Sequence, residues 1–309
     1  MNWNFGVSEI VVLNEVLKEE SSSVKALAIK TSLSGSVVSR ALNSLSGKGM
    51  IVLRRGKTKT ASVSDAPHAQ AFKSLFLTYP YIDFSILSHN NMRVLSGLVF
   101  PNASVARVER TSVIPQPTIR RILSSLLQKA LVGRKSLNNY FITLPELQNA
   151  VIEYSSFIVR KNSVAGSLIT RGFHGFLRTN SAKIPELMKP TGLSVLNRFG
   201  IGIIQTDFKD YYYHAFKKVK NPSIEEAIIH ALIRAEHSNN SRENSYALLA
   251  LHKNFGKINV GKFLEVAGDL NAILIARRSL EFVKGFAVEK QYLNESKSLE
   301  FRELVEQYE

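Results

Sequence analysis

The chain has 309 residues, 45% of them hydrophobic, with a mean hydropathy near zero; that is enough for two or three domains with real cores, and it excludes a disordered tail. Lys and Arg number 40 against 25 Asp and Glu, a net charge of +15 with a pI of about 9.9, which points to a polyanionic partner, although a ribosome-associated protein or a thermophile surface carries the same balance. The absence of cysteine excludes disulfides, thiolate metal sites and a cysteine nucleophile; without a basic leader or a long apolar run, the expectation is a soluble, cytoplasmic protein that makes no use of a membrane.

In chain order, Ser8 opens a first helix with Glu9 in its first turn and Ile10, Leu13, Val16 and Leu17 as its apolar stripe. The serines at 21–23 cap a second short helix, VKALAIK, and Thr31 to Ser34 makes a turn. The stretch SGSVVSRALNSLSGKGMI at 34–51 is the one around which the rest of the chain is organised. Val38, Ala41, Leu42 and Leu45 recur at helical spacing as a buried stripe, which leaves Ser36, Ser39, Arg40 and Asn43 on a short, polar, basic outer face. Gly47-Lys48-Gly49 ends the helix, and MIVL at 50–53 runs as a strand into the basic turn RRGKTK at 54–59. After Ser64 to Pro67 breaks the pattern, residues 68–79 read as an amphipathic linker helix stopped by Pro80.

The stretch is repeated. PTIRRILSSLLQKALV at 117–132 falls on residues 36–51 without a gap, so that Arg121 meets Arg40, Leu126 meets Leu45 and Lys129 meets Lys48. The upstream helices match more loosely, Val24 and Leu27 falling on Val105 and Val108. A repeat of three helices and a basic hairpin makes chance less credible than a single motif would. The second copy predicts helices at 88–98, 103–111 and 116–129, with Pro115 and Pro117 where proline is tolerated, a hairpin over 131–143 and a closing helix from Pro145 to Phe157. Charge density follows the copies: residues 1–64 hold 9 basic and 4 acidic side chains, 88–160 hold 9 and 3, and 161–309 hold 21 and 16.

From residue 160 the character changes. Residues 164–179 read as strands with a tight turn, 190–200 as a short helix ending at glycine, and GIIQ at 202–205 and YYYHAF at 211–216 as strands. Helices follow at 223–237, 241–254, 259–267, 271–284 and from 297. The expected fold class is therefore mainly α with small β wings (α+β): a first winged helix-turn-helix at 1–64, a linker helix at 65–87, a second winged module at 88–159, and a mostly helical C-terminal domain at 160–309 for dimerisation or partner binding.

Residues 24–63 resemble winged-helix regulators of the MarR and ArsR type in layout, including the helix that ends in KGMI before a basic hairpin. The resemblance implies that the helix enters the major groove and the wing touches backbone or minor groove. On that basis Ser34, Ser36, Ser39, Arg40 and Asn43 are candidate base or phosphate contacts, with Arg54, Arg55, Lys57 and Lys59 on the wing; the matching set in the second copy is Gln116, Thr118, Arg120 and Arg121 with Arg134 and Lys135. The physical cause is counterion release at each neutralised phosphate, and base-edge reading by Arg, Ser or Asn. The competing reading is that winged helices also mediate protein contacts, with Arg40 and Arg121 in surface ion pairs. TGLSVLNRFGI at 191–201, a strand pair and PSIEEAIIHAL at 222–232 resemble the antitoxin domain of AbiE-type systems, which opposes a nucleotidyltransferase toxin; those families usually begin with one winged helix, whereas this chain carries two.

Enzyme motifs are missing. GxxxxGK[ST], HExxH and GxSxG do not occur, and Gly166-Ser167 has no Asp-x-Asp downstream to hold metal ions. The tyrosines at 211–213 suit a half-buried strand better than base stacking, His174 has no ligand partner nearby in sequence, and His230 sits with Ala227 and Ala231 on a helix side that reads as packed. The functional expectation is a non-enzymatic, cofactor-free, sequence-specific regulator of transcription that binds double-stranded DNA as a homodimer on a palindromic site, or as a monomer spanning two grooves. The alternatives are an antitoxin that neutralises a nucleotidyltransferase and regulates its own operon, and a replication or DNA-processing factor of a mobile element.

Overall fold

A computed structural model describes residues 3–19, 21–56, 58–101, 103–202, 207–288 and 295–308, without the side chains at 55, 286–288 and 295–300. Helices dominate, and the described strands form three small antiparallel sheets. The chain divides into two compact units, Met1–Ile158 and Val159–Glu309.

The first unit begins with α1 (Val7–Leu17), which buries the expected stripe of Ile10, Leu13, Val16 and Leu17. The helix starts one residue before Ser8: Gly6 is its cap, and the Glu9 carboxylate accepts from the Gly6 amide at 2.7 Å. A first-turn carboxylate satisfies an amide that the helix leaves unpaired. Strand β1 (Ser22–Ser23) was not expected from sequence; the serine that ends it also caps α2 (Val24–Thr31), its Oγ accepting from Ala26 N at 3.2 Å. Ser32 then turns the chain in the left-handed region, and Ser34 caps α3 (Gly35–Gly47), whose buried residues are Val38, Ala41, Leu42 and Leu45. Gly49 (φ +68°) reverses the chain where a Cβ would meet the rings of Phe157 and His68 at 3.1 to 3.2 Å, and β2 (Ile51–Arg55) and β3 (Lys59–Val63) close the hairpin. Helix α4 (Pro67–Thr78) is built into the core of the unit, with Phe72 against Phe5 and Tyr154, and Phe76 stacked on Phe84 at 4.3 Å.

The same layout recurs further along. After a 3-10 turn (Phe84–Leu87) come α5 (Asn91–Leu98), α6 (Val105–Ser112), α7 (Gln116–Gln128), β4 (Val132–Ser136) and β5 (Asn139–Ile142). Each boundary of α6 and α7 lies 81 residues beyond its counterpart in α2 and α3, and the left-handed Ser32 reappears as Val113 (φ 58°). Ser104 caps α6 as Ser23 caps α2. Helix α8 (Pro145–Lys161) follows and runs past the expected end at Phe157.

One aligned pair does not keep a common role. Lys48, at the end of α3, has a side chain 2% exposed; its ammonium donates to Glu9 Oε2 at 2.6 Å and to Asn4 O at 2.8 Å, while the Lys48 carbonyl meets His68 Nε2 at 3.0 Å. Its counterpart Lys129 is exposed.

In the second unit, β6 (Ser167–Arg171) and β7 (His174–Thr179) form the expected strand pair, joined through Gly172 (φ +59°). Strand β8 (Lys189–Pro190) precedes the segment 190–200, which is a 3-10 helix (Gly192–Phe199) ended by the left-handed Gly200. Of the expected strand GIIQ at 202–205, residues 203–205 lie outside the described residues. The tyrosine run forms β9 (Lys209–His214), and the sheet order is β6-β7-β9-β8. Helix α9 (Ile224–Ser238) starts from a capping box of Ser223 and Glu226 and is enclosed by the sheet and by α10 (Ser241–Lys253), α11 (Val260–Asp269) and α12 (Ile273–Val288), so that residues 227–235 are all buried. The last element is α13 (Glu295–Tyr308), with Phe301 and Val305 in the core.

Removing one member of a buried ion pair leaves an uncompensated charge, which costs roughly 3 to 5 kcal/mol. Lys48→Ala is expected to lower the urea-unfolding free energy by that amount, whereas Lys129→Ala, at an exposed position, stays within about 0.5 kcal/mol of the parent. Gly175 supplies a second test: a Cβ there would sit 2.4 Å from the ring of Tyr213, which is fully buried and donates through its hydroxyl to Val159 O. Gly175→Ala is expected to destabilise by about 1 to 3 kcal/mol, read as an earlier denaturation midpoint.

Candidate functional site

The outward face of α3 carries Ser34, Ser36, Arg40 and Asn43 exposed and Ser39 half-buried. Ser34 Oγ accepts from Val37 N at 3.4 Å and lies 3.1 Å from Ser36 Oγ, so both hydroxyls sit at the start of the helix. Arg40 extends along the helix and, among the described residues, makes only a long 3.4 Å contact from its Nε to Ser36 O. Its guanidinium therefore remains at the surface beside a cavity of about 450 Å³ that Asn4, Glu9 and Lys48 also line.

The hairpin does not present its basic residues as one set. Directly opposed residues of an antiparallel pair share a face, and faces alternate along a strand. Register pairs Leu53 with Ala61 and Arg55 with Lys59, so Lys59 lies on the face that continues from buried Ile51 and Ala61. There its ammonium donates to Asn43 Oδ1 at 2.7 Å and ties the hairpin to α3. Arg54, paired with Thr60, is exposed on the opposite face. Lys57 and the side chain of Arg55 lie outside the described residues.

The second copy differs in chemistry more than in shape. Arg120 and Arg121 are exposed on α7, and Thr118 is half-buried. Gln116 is engaged within the unit, its amide donating to Glu109 Oε2 at 2.7 Å. Pro115 and Pro117 remove two amide donors from the start of the helix, where α3 has Ser34 and Ser36. On the hairpin, Arg134 folds back to donate to the carbonyls of Ser136 and Leu137 and lies over the Tyr140 ring at 5.8 Å, while Lys135 is exposed at the β-bulge between Arg134 and Ser136. Leu137 is 78% exposed.

In the second unit the structure gathers groups that lie far apart in sequence. Arg178 on β7 holds Asp210 of β9 through two bonds, of 2.7 and 3.0 Å, and also grips Glu243 of α10. The two carboxylates hold its guanidinium above the ordinary arginine range despite the opposing effect of burial. His174 and His214 are paired across β7 and β9 with ring centroids 4.8 Å apart, and His174 Nδ1 lies 2.8 Å from the Tyr212 hydroxyl. The Tyr212 ring packs on His230, whose Nδ1 meets Thr191 Oγ1 at 2.7 Å. Tyr213 is fully buried, and burial raises the Tyr212 hydroxyl above the ordinary tyrosine range. As consecutive strand residues the two rings lie on opposite faces, Tyr212 with Phe176 and His230 and Tyr213 with Val159, Leu177 and Met188, so the strand is covered on both faces rather than half-buried as expected. Alternation marked these strands in the sequence, but the register that aligns His174 with His214 and Arg178 with Asp210 could not be read from it.

Among the described residues, no group of three or more His, Cys, Asp or Glu is placed to hold a metal ion, and no helix is long and apolar enough to cross a membrane. No protein-family model matches the chain, and no curated protein matches it.

Burial pushes His230 down to about 3. A histidine depressed from its unfolded value near 6.5 contributes stability that is fully present above that value and is lost as pH falls from there toward 3, because the unfolded chain takes up the proton first. The parent is therefore expected to lose about 1.4 kcal/mol per pH unit more than His230→Phe across that window, measured as the difference between their unfolding free energies at each pH.

Proposed function

We propose that residues 1–158 carry two winged helix-turn-helix modules and that the protein is a sequence-specific, double-stranded-DNA-binding regulator of transcription. The observation that carries this reading is the repeated unit of capped short helix, left-handed turn, 13-residue helix and hairpin, displaced by 81 residues, with arginine on the outer face of both long helices. A helix of this kind fits the major groove, and exposed guanidinium groups supply both phosphate neutralisation and bidentate reading of guanine. The net charge of +15 agrees with a polyanionic partner.

The two modules divide the work. Module one offers the serine-rich start of α3, exposed Arg40 and a hairpin linked to the helix through Lys59 and Asn43, and it is the reader of sequence. Module two has its helix start occupied by Glu109 and Gln116 and blocked by two prolines, and Arg134 is spent on its own hairpin. Its contribution is phosphate contact by Arg120, Arg121 and Lys135.

The test is selection of bound genomic fragments, followed by titration of the best one at two salt concentrations. Enrichment of a short motif upstream of genes is the expected outcome. Salt-sensitive binding without a motif would instead favour a DNA-processing role, and absence of binding would shift the function to a protein partner. Arg40→Ala is expected to cost roughly 1 to 3 kcal/mol on the selected site and to relax one base position. Arg121→Ala is expected to weaken selected and random DNA alike and to lower the salt slope by about one.

A further inference from the structure

The second unit contains a cavity of about 440 Å³, within the range that encloses small ligands. Its apolar wall is made by Leu248, Ile275, Phe282 and Phe301, from three different helices. Its polar side has two charges of opposite sign. Among the described residues, Arg278 is exposed with no carboxylate within ion-pair distance, and the Glu236 carboxylate has one polar side-chain contact, with Arg171 at 3.3 Å, and keeps further acceptor capacity.

Two more features face the same space. Helix α10 begins here: Asn240 caps it by accepting from Glu243 N at 3.1 Å, which leaves the amides of Ser241 and Arg242 outside the hydrogen bonding of the helix. Ser279 lines the cavity although it is only 6% exposed, and its hydroxyl has no hydrogen-bond partner among the described residues.

We propose that this cavity binds a small zwitterionic amino acid with an aromatic or branched side chain. Its carboxylate lies against Arg278, the first turn of α10 and the Ser279 hydroxyl, where a helix N-terminus and a guanidinium both favour negative charge. Its ammonium lies against Glu236, and its side chain packs on the apolar wall of Leu248, Ile275, Phe282 and Phe301, whose two rings already meet edge to face at 5.1 Å. An apolar anion would leave Glu236 facing an apolar group or a like charge, and an amine would leave Arg278 and Ser279 unanswered; the zwitterion satisfies both ends. The inference is independent of DNA binding by the first unit.

The experiment is calorimetric titration of the full chain with L-phenylalanine, alongside phenylacetate, which lacks the ammonium, and phenethylamine, which lacks the carboxylate. Saturable 1:1 binding of L-phenylalanine is expected, at least about tenfold tighter than either analogue and weakened at least about tenfold in Arg278→Ala and in Glu236→Gln. Both positions are exposed, and circular dichroism of the variants checks that the fold is kept. Hydrogen exchange reports the place of binding through slower exchange in α10 and α12. Three results would overturn the proposal: no heat and no change in exchange up to about 10 mM ligand, phenylacetate binding as tightly as phenylalanine, or binding unaltered in both variants.

Discussion

The buried pair of Lys48 and Glu9 sets the geometry of the first unit. One carboxylate closes the start of α1 through the Gly6 amide and receives the Lys48 ammonium; that ammonium reaches back to the Asn4 carbonyl and lies 5.1 Å over the Phe5 ring. The N-terminal segment, α1 and the end of α3 are thereby joined within a few ångströms, and His68 brings α4 to the same point. An apolar contact would hold these elements together with some freedom to slide. Charge-assisted hydrogen bonds in a dry setting are directional, so they fix the rotation of α3 about its own axis. That rotation decides that Arg40 and Asn43 face outward while Val38 and Leu45 face in.

The two copies in this unit show how far a scaffold and its surface chemistry can separate. Backbone devices are retained: a serine cap, a left-handed residue between two helices, and a 13-residue third helix. The polar groups are not. The buried lysine of the first copy becomes an exposed one in the second, and Arg134 acts as a clasp for its own turn. Backbone geometry tolerates such exchange because caps and helix periodicity depend on few positions, whereas a buried charge needs every partner present at once.

Much of the architecture was legible in the sequence because local rules govern it. The serine cap at 23, glycine at 49 and 200, and the period of Val38, Ala41, Leu42 and Leu45 each act over a few residues, and the described helices and hairpins fall close to where those rules put them. The features that escaped depend on residues far apart in the chain. Two serines carry no mark that they will pair with Ala61 and Thr60; Lys48 gives no sign of meeting Glu9; and Lys59 looked like a wing residue among others until register placed it on the face toward Asn43. The candidate contacts were legible as a basic surface, but not the division into side chains that remain available and those, such as Gln116 and Arg134, that are engaged at home.

The strand made by Ser22 and Ser23 has a further consequence. It lies against β3, so β3 is central in its sheet, with the two-residue β1 at one edge and β2 as the longer open edge. An open edge is a template on which a second chain can add a strand, and charged residues are a common guard against it. Here the guard is the exposed Arg54, near the end of β2. On the proposed DNA-binding reading, Arg54 has two tasks: to meet a polyanion and to keep copies of the protein from zipping together. Neutralising it to probe the first role also removes protection against self-association, so loss of binding in such a variant is informative only if the protein is shown to stay dispersed.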